Sequence, residues 1–226
     1  MLLTRKKESD AYRAARAELL VAEQNLLRQI ELVAEMRRAL PVDTAAGEYT
    51  FHRAGSRGEA RRSATLDELV IGNRPLIIYH FMWGKAQTDP CPMCTLWVTG
   101  LNAIADYAAD GVDLAVVAAA PAADLDRYAA ANGWDRIPLL SAVDSTFKYD
   151  YGSEDERGNQ DPAVSVFRRR DGIVHHTYTG HAQLGPDHWR GLDLLAPIWH
   201  LHDLAPDGRG DWMPSLPAAA PSGSGR

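Results

Sequence analysis

Cysteine is scarce in this sequence, with only two among 226 residues. A small domain held together by disulfides needs more, so a disulfide scaffold is excluded. A chain of this length buries about 70% of its unfolded surface, so its core can hold the fold without cross-links. Both cysteines lie together as Cys91-Pro92-Met93-Cys94, and this spacing makes them the first candidates for chemistry.

The sequence also lacks an excess of basic charge and any long apolar run. Its 24 Lys and Arg are outnumbered by 30 Asp and Glu, which gives a formal net charge of −6. This balance disfavours nucleic acid and anionic membranes as partners. The longest apolar run, 114–123, is too short to cross a bilayer, and the first residues lack the apolar stretch of a signal peptide. We therefore expect a cytoplasmic protein, in which a lone CxxC is more often catalytic or metal-binding than structural.

Residues 9–40 predict one long helix, because apolar side chains repeat every seven residues from Tyr12 to Leu40. Ser9 can cap its start, and Pro41 ends it. The helix can lie on its own domain or pack against a second subunit, and the pattern leaves both open. Because the apolar stripe is wider than a solvent-facing helix tolerates, we predict a homodimer through this helix.

The rest of the chain alternates between segments of strand and helix character. Strands separated by helices favour parallel pairing, and Asp171-Gly172 between two apolar runs predicts a hairpin. The expectation is an α/β fold with a mixed β-sheet flanked by helices. We predict strands at 48–53, 75–81, 112–117, 163–168 and 173–178, an extended segment at 137–140, a turn at 54–62, one helical turn at 65–70, and helices at 94–110, 121–132 and 186–201.

Composition divides the chain into three parts. Residues 1–42 form the helical arm, and 43–205 form the α/β domain. From 206 to 226 Pro, Gly, Ser and Ala dominate, so this segment is expected to be a flexible tail.

The CxxC motif follows one predicted buried strand and opens a predicted helix. Backbone N–H groups and the helix dipole stabilise a thiolate at such a position and lower the pKa of the leading cysteine. Cys91 is therefore assigned as the nucleophile, and Cys94, one turn further in, as the resolving thiol. Two intervening residues allow the sulfurs to form a disulfide without large backbone movement.

A second feature lies ahead of the hairpin, where Pro162 precedes the strand at 163–168 and Phe167 stands five residues after it. Together with the CxxC, this pattern resembles thioredoxin-like proteins, in which a cis-proline faces the disulfide. The resemblance implies a thioredoxin-like fold, a cis Asp161–Pro162 bond and a Pro162 that shapes the substrate face. The N–H and C=O of Asp161 would remain free to pair with an extended substrate. A trans proline that starts an edge strand is the competing interpretation.

Seven motifs, with the CxxC segment among them, are spread over a match that runs from about residue 41 to 210. Taken together they resemble the DUF899 family of bacterial thioredoxin-like proteins, which implies the thioredoxin fold and no particular substrate. These motifs are 79–84 (YHFMWG), 91–97 (CPMCTLW), 116–121 (VVAAAP), 133–134 (GW), 147–152 (FKYDYG), 164–167 (VSVF) and 176–178 (HTY).

The chain departs from ordinary thioredoxin at three places. The dipeptide between the cysteines is Pro-Met rather than Gly-Pro, and residues 84–90 insert a lid or substrate loop ahead of Cys91. The buried acid before the motif is missing, and His80 stands near its place. His80 is then either a proton-transfer group or a core histidine with satisfied hydrogen bonds.

These features predict a thiol–disulfide oxidoreductase that acts on a disulfide- or thiol-containing substrate. No bound cofactor and no metal are expected, since electrons would arrive by thiol exchange. We assign catalytic roles to Cys91, Cys94, Pro162 and His80, and substrate contacts to Trp83, Asp161, Pro92 and Met93.

Other interpretations of the cysteines remain open. Two thiolates and a histidine suit Cu(I) or Zn, although the eight histidines follow no fixed ligand spacing. The thiols can also be buried and inert, in a redox-inactive binding module that kept the fold. A peroxidase would need the PxxxTxxC pattern, and Thr88 fits its threonine, but Gly84 stands where the proline belongs.

Overall fold

The computed structural model describes residues 7–41, 44–53, 63–186 and 188–216. The chain divides into two compact units, Met1–Pro41 and Val42–Arg226. The first unit holds helix α1 (Asp10–Arg38). The second holds strands β1 (Thr50–Arg53), β2 (Ser63–Thr65), β3 (Leu76–His80), β4 (Asp113–Ala118), β5 (Leu139–Ser141), β6 (Ala163–Arg170) and β7 (Ile173–His181), and helices α2 (Leu66–Leu69), α3 (Pro92–Ala108), α4 (Ala122–Asn132), α5 (Phe147–Asp150) and α6 (Ile198–Asp203).

Helix α1 begins and ends as its sequence predicts. The Ser9 hydroxyl accepts a hydrogen bond of 3.1 Å from the backbone N–H of Tyr12, which caps the first turn. Arg37 and Arg38 stand in the last turn, where positive charge is favourable to the helix dipole. No side chain of α1 is buried. Its apolar stripe is therefore exposed in this structure, and the homodimer stays a prediction.

The seven strands form one mixed sheet in the order β2-β1-β5-β4-β3-β6-β7. The three central strands β3, β4 and β5 run parallel, while the flanking pairs are antiparallel. The mixed α/β sheet flanked by helices is confirmed. The segment that the sequence marked only as extended is a full strand, because β5 pairs with both β4 and β1.

Two hydrophobic cores lie on opposite faces of this sheet, as alternation along the strands requires. Tyr79 of β3 belongs to the core under α3 and α4, whereas its neighbour Ile78 belongs to the core with α2 and α5. The CxxC cysteine at the start of α3, Cys94, belongs to the first core. The site therefore rests on the face covered by the two longer helices of the domain.

The β6–β7 hairpin is confirmed with its turn. Asp171 and Gly172 have φ angles of 51° and 82°, the left-handed pair that a two-residue type I′ turn needs. One irregularity between Val166 and Phe167 shifts the register of the hairpin by a residue.

The helix predicted at 186–201 is wrong. A short 3-10 turn at Asp193–Leu195 and the six-residue α6 stand there instead. Pro197 separates the two, because proline has no N–H to continue a helix from the preceding turn. The predicted turn at 54–62 and the last ten residues of the predicted tail lie outside the described residues. Within the described ranges, no helix combines the length and apolarity needed to cross a membrane.

Candidate active site

The two cysteines lie at the first turn of α3, just after the central strand β3. Cys91 is the N-cap residue, its N–H donates to the Met82 carbonyl at 3.2 Å, and its own carbonyl accepts the N–H of Thr95 at 3.0 Å. Pro92 occupies the first helical position, where its missing N–H costs no hydrogen bond. Both thiols are free; Cys91 is half-buried and Cys94 is fully buried. The predicted difference in exposure is therefore present.

The pKa values of the two thiols move in opposite directions. A hydrogen bond from the Cys94 thiol lowers the pKa of Cys91 from 9.0 to about 6, against the effect of burial, and backbone N–H groups of Cys94 and Met93 add to the decrease. Burial raises the pKa of Cys94, and the neighbouring Cys91 raises it further. Cys91 is thus mostly a thiolate at neutral pH, while Cys94 keeps its proton. The sequence predicted that Cys91 has the lower pKa of the two thiols. It attributed the decrease to the helix terminus, whereas the hydrogen bond from Cys94 contributes most.

Two polar side chains that the sequence did not single out lie beneath the cysteines. The Tyr79 hydroxyl is buried without a partner of ordinary hydrogen-bond geometry among the described residues, and it faces Cys94, whose pKa it lowers. Lys148 is 1% exposed, and its Nζ donates to the Phe81 carbonyl at 3.1 Å. Burial lowers the pKa of Lys148 to about 8, although a charged Cys94 acts to raise it.

His80 is a buried histidine with both ring nitrogens engaged. Its Nδ1 is 2.7 Å from the Ser153 Oγ and its Nε2 is 2.9 Å from the Ser165 Oγ. The ring stacks on Phe147 at a centroid distance of 5.3 Å. Burial, followed by the charge of Lys148, holds the pKa of His80 well below 6.5. This arrangement matches the alternative of a core histidine with satisfied hydrogen bonds, and it leaves no ring nitrogen for the sulfurs.

The predicted cis bond before Pro162 is wrong, because the described residues contain no cis peptide bond. Pro162 lies directly before β6, and its carbonyl accepts the N–H of Ala182 at 3.2 Å. A trans proline fits directly ahead of a strand, since its missing N–H breaks no ladder there. The strand is not an edge strand, however, because β6 lies between β3 and β7.

Asp161 also differs from the expectation. Its N–H is not free for a substrate but donates to the Ser153 carbonyl at 3.0 Å. Its carboxylate lies 2.9 Å from Nδ1 of His181, a partner that sequence reasoning did not anticipate. Register still brings this segment to the correct end of the sheet, because Ala163 pairs with His80, the last residue of β3. Asp161 and Pro162 therefore lie where the chain leaves β3 towards Cys91.

Trp83, which the sequence predicted as a substrate contact, belongs to the core, being only 6% exposed. Its ring packs edge-on against Tyr128 at 5.3 Å, and its indole N–H donates to the Gln87 carbonyl at 3.0 Å. That bond anchors the inserted loop 84–90, in which 85–89 are exposed. Pro92 and Met93, in contrast, are half-buried beside Cys91. In the described part of the chain, no three His, Cys, Asp or Glu side chains are grouped as metal ligands would be.

Comparison with solved structures identifies the fold. Two cysteine-to-serine mutants of peroxiredoxin Q from Xanthomonas campestris are 15% and 14% identical, both with a TM-score of 0.50. The matches cover 71% of this chain and 96% and 95% of those chains. Reduced 2-Cys peroxiredoxin from Plasmodium vivax is 15% identical with a TM-score of 0.48, over 71% of this chain and 97% of that one. At these identities the first two matches show the fold alone.

A thioredoxin-like sheet with paired thiols at the start of the helix after β3 defines a thioredoxin-fold dithiol protein. The sequence profile of the DUF899 family, described as bacterial proteins of unknown function, matches residues 2–219. The chain therefore belongs to the DUF899 family, as its motifs predicted. No curated protein sequence matches it.

Proposed function

We propose that this protein is a thiol–disulfide oxidoreductase in which Cys91 attacks and Cys94 resolves. The observation that carries the proposal is the asymmetry of one CxxC turn, with a half-buried thiol of lowered pKa and a buried thiol of raised pKa. A thiolate is the attacking species in disulfide exchange, and a nearby thiol is needed to release the product. The two cysteines supply one of each.

The reaction runs in two exchange steps. The Cys91 thiolate attacks one sulfur of a substrate disulfide, so that a mixed disulfide forms and the other substrate sulfur leaves as a thiolate. Cys94 then loses its proton and attacks the Cys91 sulfur, which forms the Cys91–Cys94 disulfide and releases the second substrate thiolate. Two electrons pass from the protein to the substrate, and an external dithiol returns them in the reverse sequence.

The surface beside Cys91 supports a disulfide in an apolar or extended chain as the substrate. Pro92 and Met93 are partly exposed next to the reactive sulfur, and Met93 packs against the core below it. Asp161 and Pro162 reach the same end of the sheet through the register of β6 with β3. We propose these four residues as the substrate contacts, with Trp83 and His80 in supporting positions.

Stoichiometric reaction with 5,5′-dithiobis(2-nitrobenzoic acid) tests the proposal. The reduced wild-type protein should release two thionitrobenzoate ions per chain and finish as an internal disulfide. Cys94→Ser should release one ion and retain one as a mixed disulfide, which intact mass records. Cys91→Ser should react at least about a hundredfold more slowly, because the remaining thiol is buried and protonated.

The same variants serve as controls for each other, since each removes one sulfur and keeps the side-chain size similar. Equal rates for Cys91→Ser and the wild type would contradict the assignment of the nucleophile. A wild-type protein that keeps two thionitrobenzoate groups would contradict the resolving role of Cys94. Metal content measured on the same sample tests the Cu or Zn alternative.

Peroxide reduction is the second candidate, favoured by the peroxiredoxin fold and by the lowered Cys91 pKa. The sequence departs from the peroxidase pattern at Gly84, and Thr88 is exposed in the inserted loop. Hydrogen peroxide added to Cys94→Ser should then leave Cys91 as a sulfenic acid, detectable by dimedone adduct mass. A disulfide reductase instead reacts with the nitrobenzoic disulfide much faster than with peroxide.

A further inference from the structure

Lys148 is a buried lysine to which the described part of the chain offers no ionic partner. Its side chain is 1% exposed, and the ion pairs of the described residues do not include it, although the charges of Glu154 and Asp161 are near enough to raise its pKa. One of its donors reaches the Phe81 carbonyl at 3.1 Å. An unpaired buried charge costs several kcal/mol unless it is neutralised or has a transient counter-charge. Such a residue needs an explanation beyond packing.

The backbone next to Lys148 connects it to the cysteines through consecutive peptide groups. Phe81 holds the lysine, and the next residue, Met82, accepts the Cys91 N–H at 3.2 Å through its carbonyl. The backbone N–H of Met82 also lowers the pKa of Cys94 by hydrogen bonding to its sulfur. Lys148 is thus hydrogen-bonded to the carbonyl of the same peptide group whose N–H contacts Cys94.

The Tyr79 hydroxyl is the independent sign of an anion at Cys94. It is buried in the same core, faces that sulfur and has no partner of ordinary hydrogen-bond geometry among the described residues. The Cys94 sulfur is the acceptor that this hydroxyl faces, and a thiolate accepts a hydrogen bond more strongly than a thiol, so Tyr79 and Lys148 both favour the ionised form of Cys94.

On the basis of the proposed function, we propose that the buried ammonium group of Lys148 stabilises the Cys94 thiolate that attacks the mixed disulfide. The S–H bond of Cys94 breaks, its proton passes to solvent, and the resulting thiolate attacks the Cys91 sulfur and releases the substrate thiolate. After the internal disulfide forms, no thiolate charge remains to stabilise the ammonium group, which then loses its proton more readily. Lys148 acts through Cys94 and does not contact the substrate, so it is a positioning residue that sets the charge state of Cys94.

The charged surroundings of Lys148 agree with this sequence of events. A negative charge on Cys94 is the strongest influence that raises the Lys148 pKa, ahead of Glu154 and Asp161. His80 on β3 stays neutral, since burial and the positive charge of Lys148 both lower its pKa. Oxidation turns both sulfurs into a neutral disulfide, so neither can supply a negative charge to Lys148. The proton should therefore leave Lys148 at a lower pH in the disulfide form than in the reduced form.

The two release phases of the nitrobenzoic disulfide reaction separate this proposal from the proposed function. The first phase reports attack by Cys91, and the second reports resolution by Cys94. Lys148→Met and Lys148→Gln should leave the first phase unchanged and slow the second about tenfold at pH 7, the effect of one pKa unit on the thiolate fraction. The second phase should recover at alkaline pH. Lys7→Gln, which removes an exposed lysine of the N-terminal unit, is the matched control.

An unchanged second phase with an unchanged pH profile in folded Lys148 variants would overturn the proposal. Absence of a second phase in the wild type would instead overturn the resolving role of Cys94, so the two failures differ. Should both variants fail to fold, the wild type decides. The chain has four lysines, Lys6, Lys7, Lys85 and Lys148, and ε-carbon NMR shifts of ¹³C-lysine protein can follow each. One titration should move down by about one pH unit or more on oxidation, and identical titrations in both forms would contradict the proposal.

Discussion

Two residues separate the cysteines of the CxxC turn, yet their surroundings differ in the ways that decide thiol chemistry. Cys91 receives hydrogen bonds at the end of a helix, whereas Cys94 is enclosed by the core under α3. The lowered pKa of Cys91 depends first on the Cys94 thiol, so the pair is one unit in which each sulfur sets the state of the other.

Replacing Cys94 should therefore raise the pKa of Cys91. Cys94→Ala removes the hydrogen bond that contributes most to the lowered value of about 6, and the midpoint of alkylation against pH should rise by about one unit or more. Cys94→Ser keeps a hydroxyl donor and should shift the midpoint less. Equal midpoints in the wild type and Cys94→Ala would show that the helix terminus alone sets the Cys91 pKa.

His80 makes the stability of the fold depend on pH. Its pKa is held well below the unfolded value of 6.5 by burial, so the unfolded chain binds a proton that the folded chain excludes. The contribution is complete above about pH 6.5 and is lost as the pH falls towards the folded value, by up to about 1.4 kcal/mol per pH unit.

Urea unfolding at pH 7.5 and pH 5.5 measures this effect. The wild type should lose stability between the two, and His80→Gln, which cannot titrate, should lose less. His80→Gln should also cost about 1–3 kcal/mol at pH 7.5, since hydroxyls of Ser153 and Ser165 lose a partner. An equal loss in both proteins would mean that other groups carry the acid sensitivity.

At the scale of elements, local sequence signals predicted most of the secondary structure. Thr65 caps α2 with a full capping box, and Gly133 ends α4 in the left-handed conformation. Pro197, in contrast, broke the predicted last helix into two pieces. Each confirmed signal acts within a few residues, which is why it can be seen in the sequence.

Features that depend on distant contacts were missed. Nothing near Lys148 in the sequence shows that its Nζ reaches Phe81, 67 residues away. Likewise, no local signal in the sequence shows that the Asp161 N–H donates to the Ser153 carbonyl. Resemblance to thioredoxin placed Pro162 at the right end of the sheet but gave it the wrong isomer. The site was therefore predictable in its two cysteines and not in the polar groups beneath them.

Two glycine substitutions test the turn and helix assignments as a pair. Gly172 has a φ of 82° in the hairpin turn, so Gly172→Ala should destabilise the fold by about 1 kcal/mol. Gly100 lies inside α3, and a methyl group added to its Cα would extend into open space. Gly100→Ala should therefore stabilise the fold by about 0.5–1 kcal/mol. The urea midpoints of the two variants measure these changes in stability. A change in the same direction for both variants would contradict the two backbone assignments.

At the scale of the whole molecule, α1 carries an extensive exposed apolar surface. Leu26 and Met36 are more than 60% exposed on a helix without a buried side chain. We expect a dimer at tens of micromolar in sedimentation velocity, and Leu26→Glu should convert it to a monomer. Leu204→Glu, at another exposed apolar position, is the control. A monomeric wild-type mass would contradict the prediction.

The central sheet joins the fold to the site, because β3 ends beside Pro162 and the chain runs from it into the CxxC turn. Its two-sided core leaves one thiol accessible and one enclosed. We propose that this difference in burial makes Cys91 the attacking thiol and Cys94 the resolving thiol.

Alkylation at pH 6.5 followed by peptide mass mapping tests that claim most directly. Reduced protein is treated with a limiting amount of iodoacetamide, and the label on each cysteine is quantified with time. We predict that Cys91 is labelled first and that Cys94 stays unlabelled until the protein is denatured. Preferential labelling of Cys94, or equal rates at both sites, would contradict the claim.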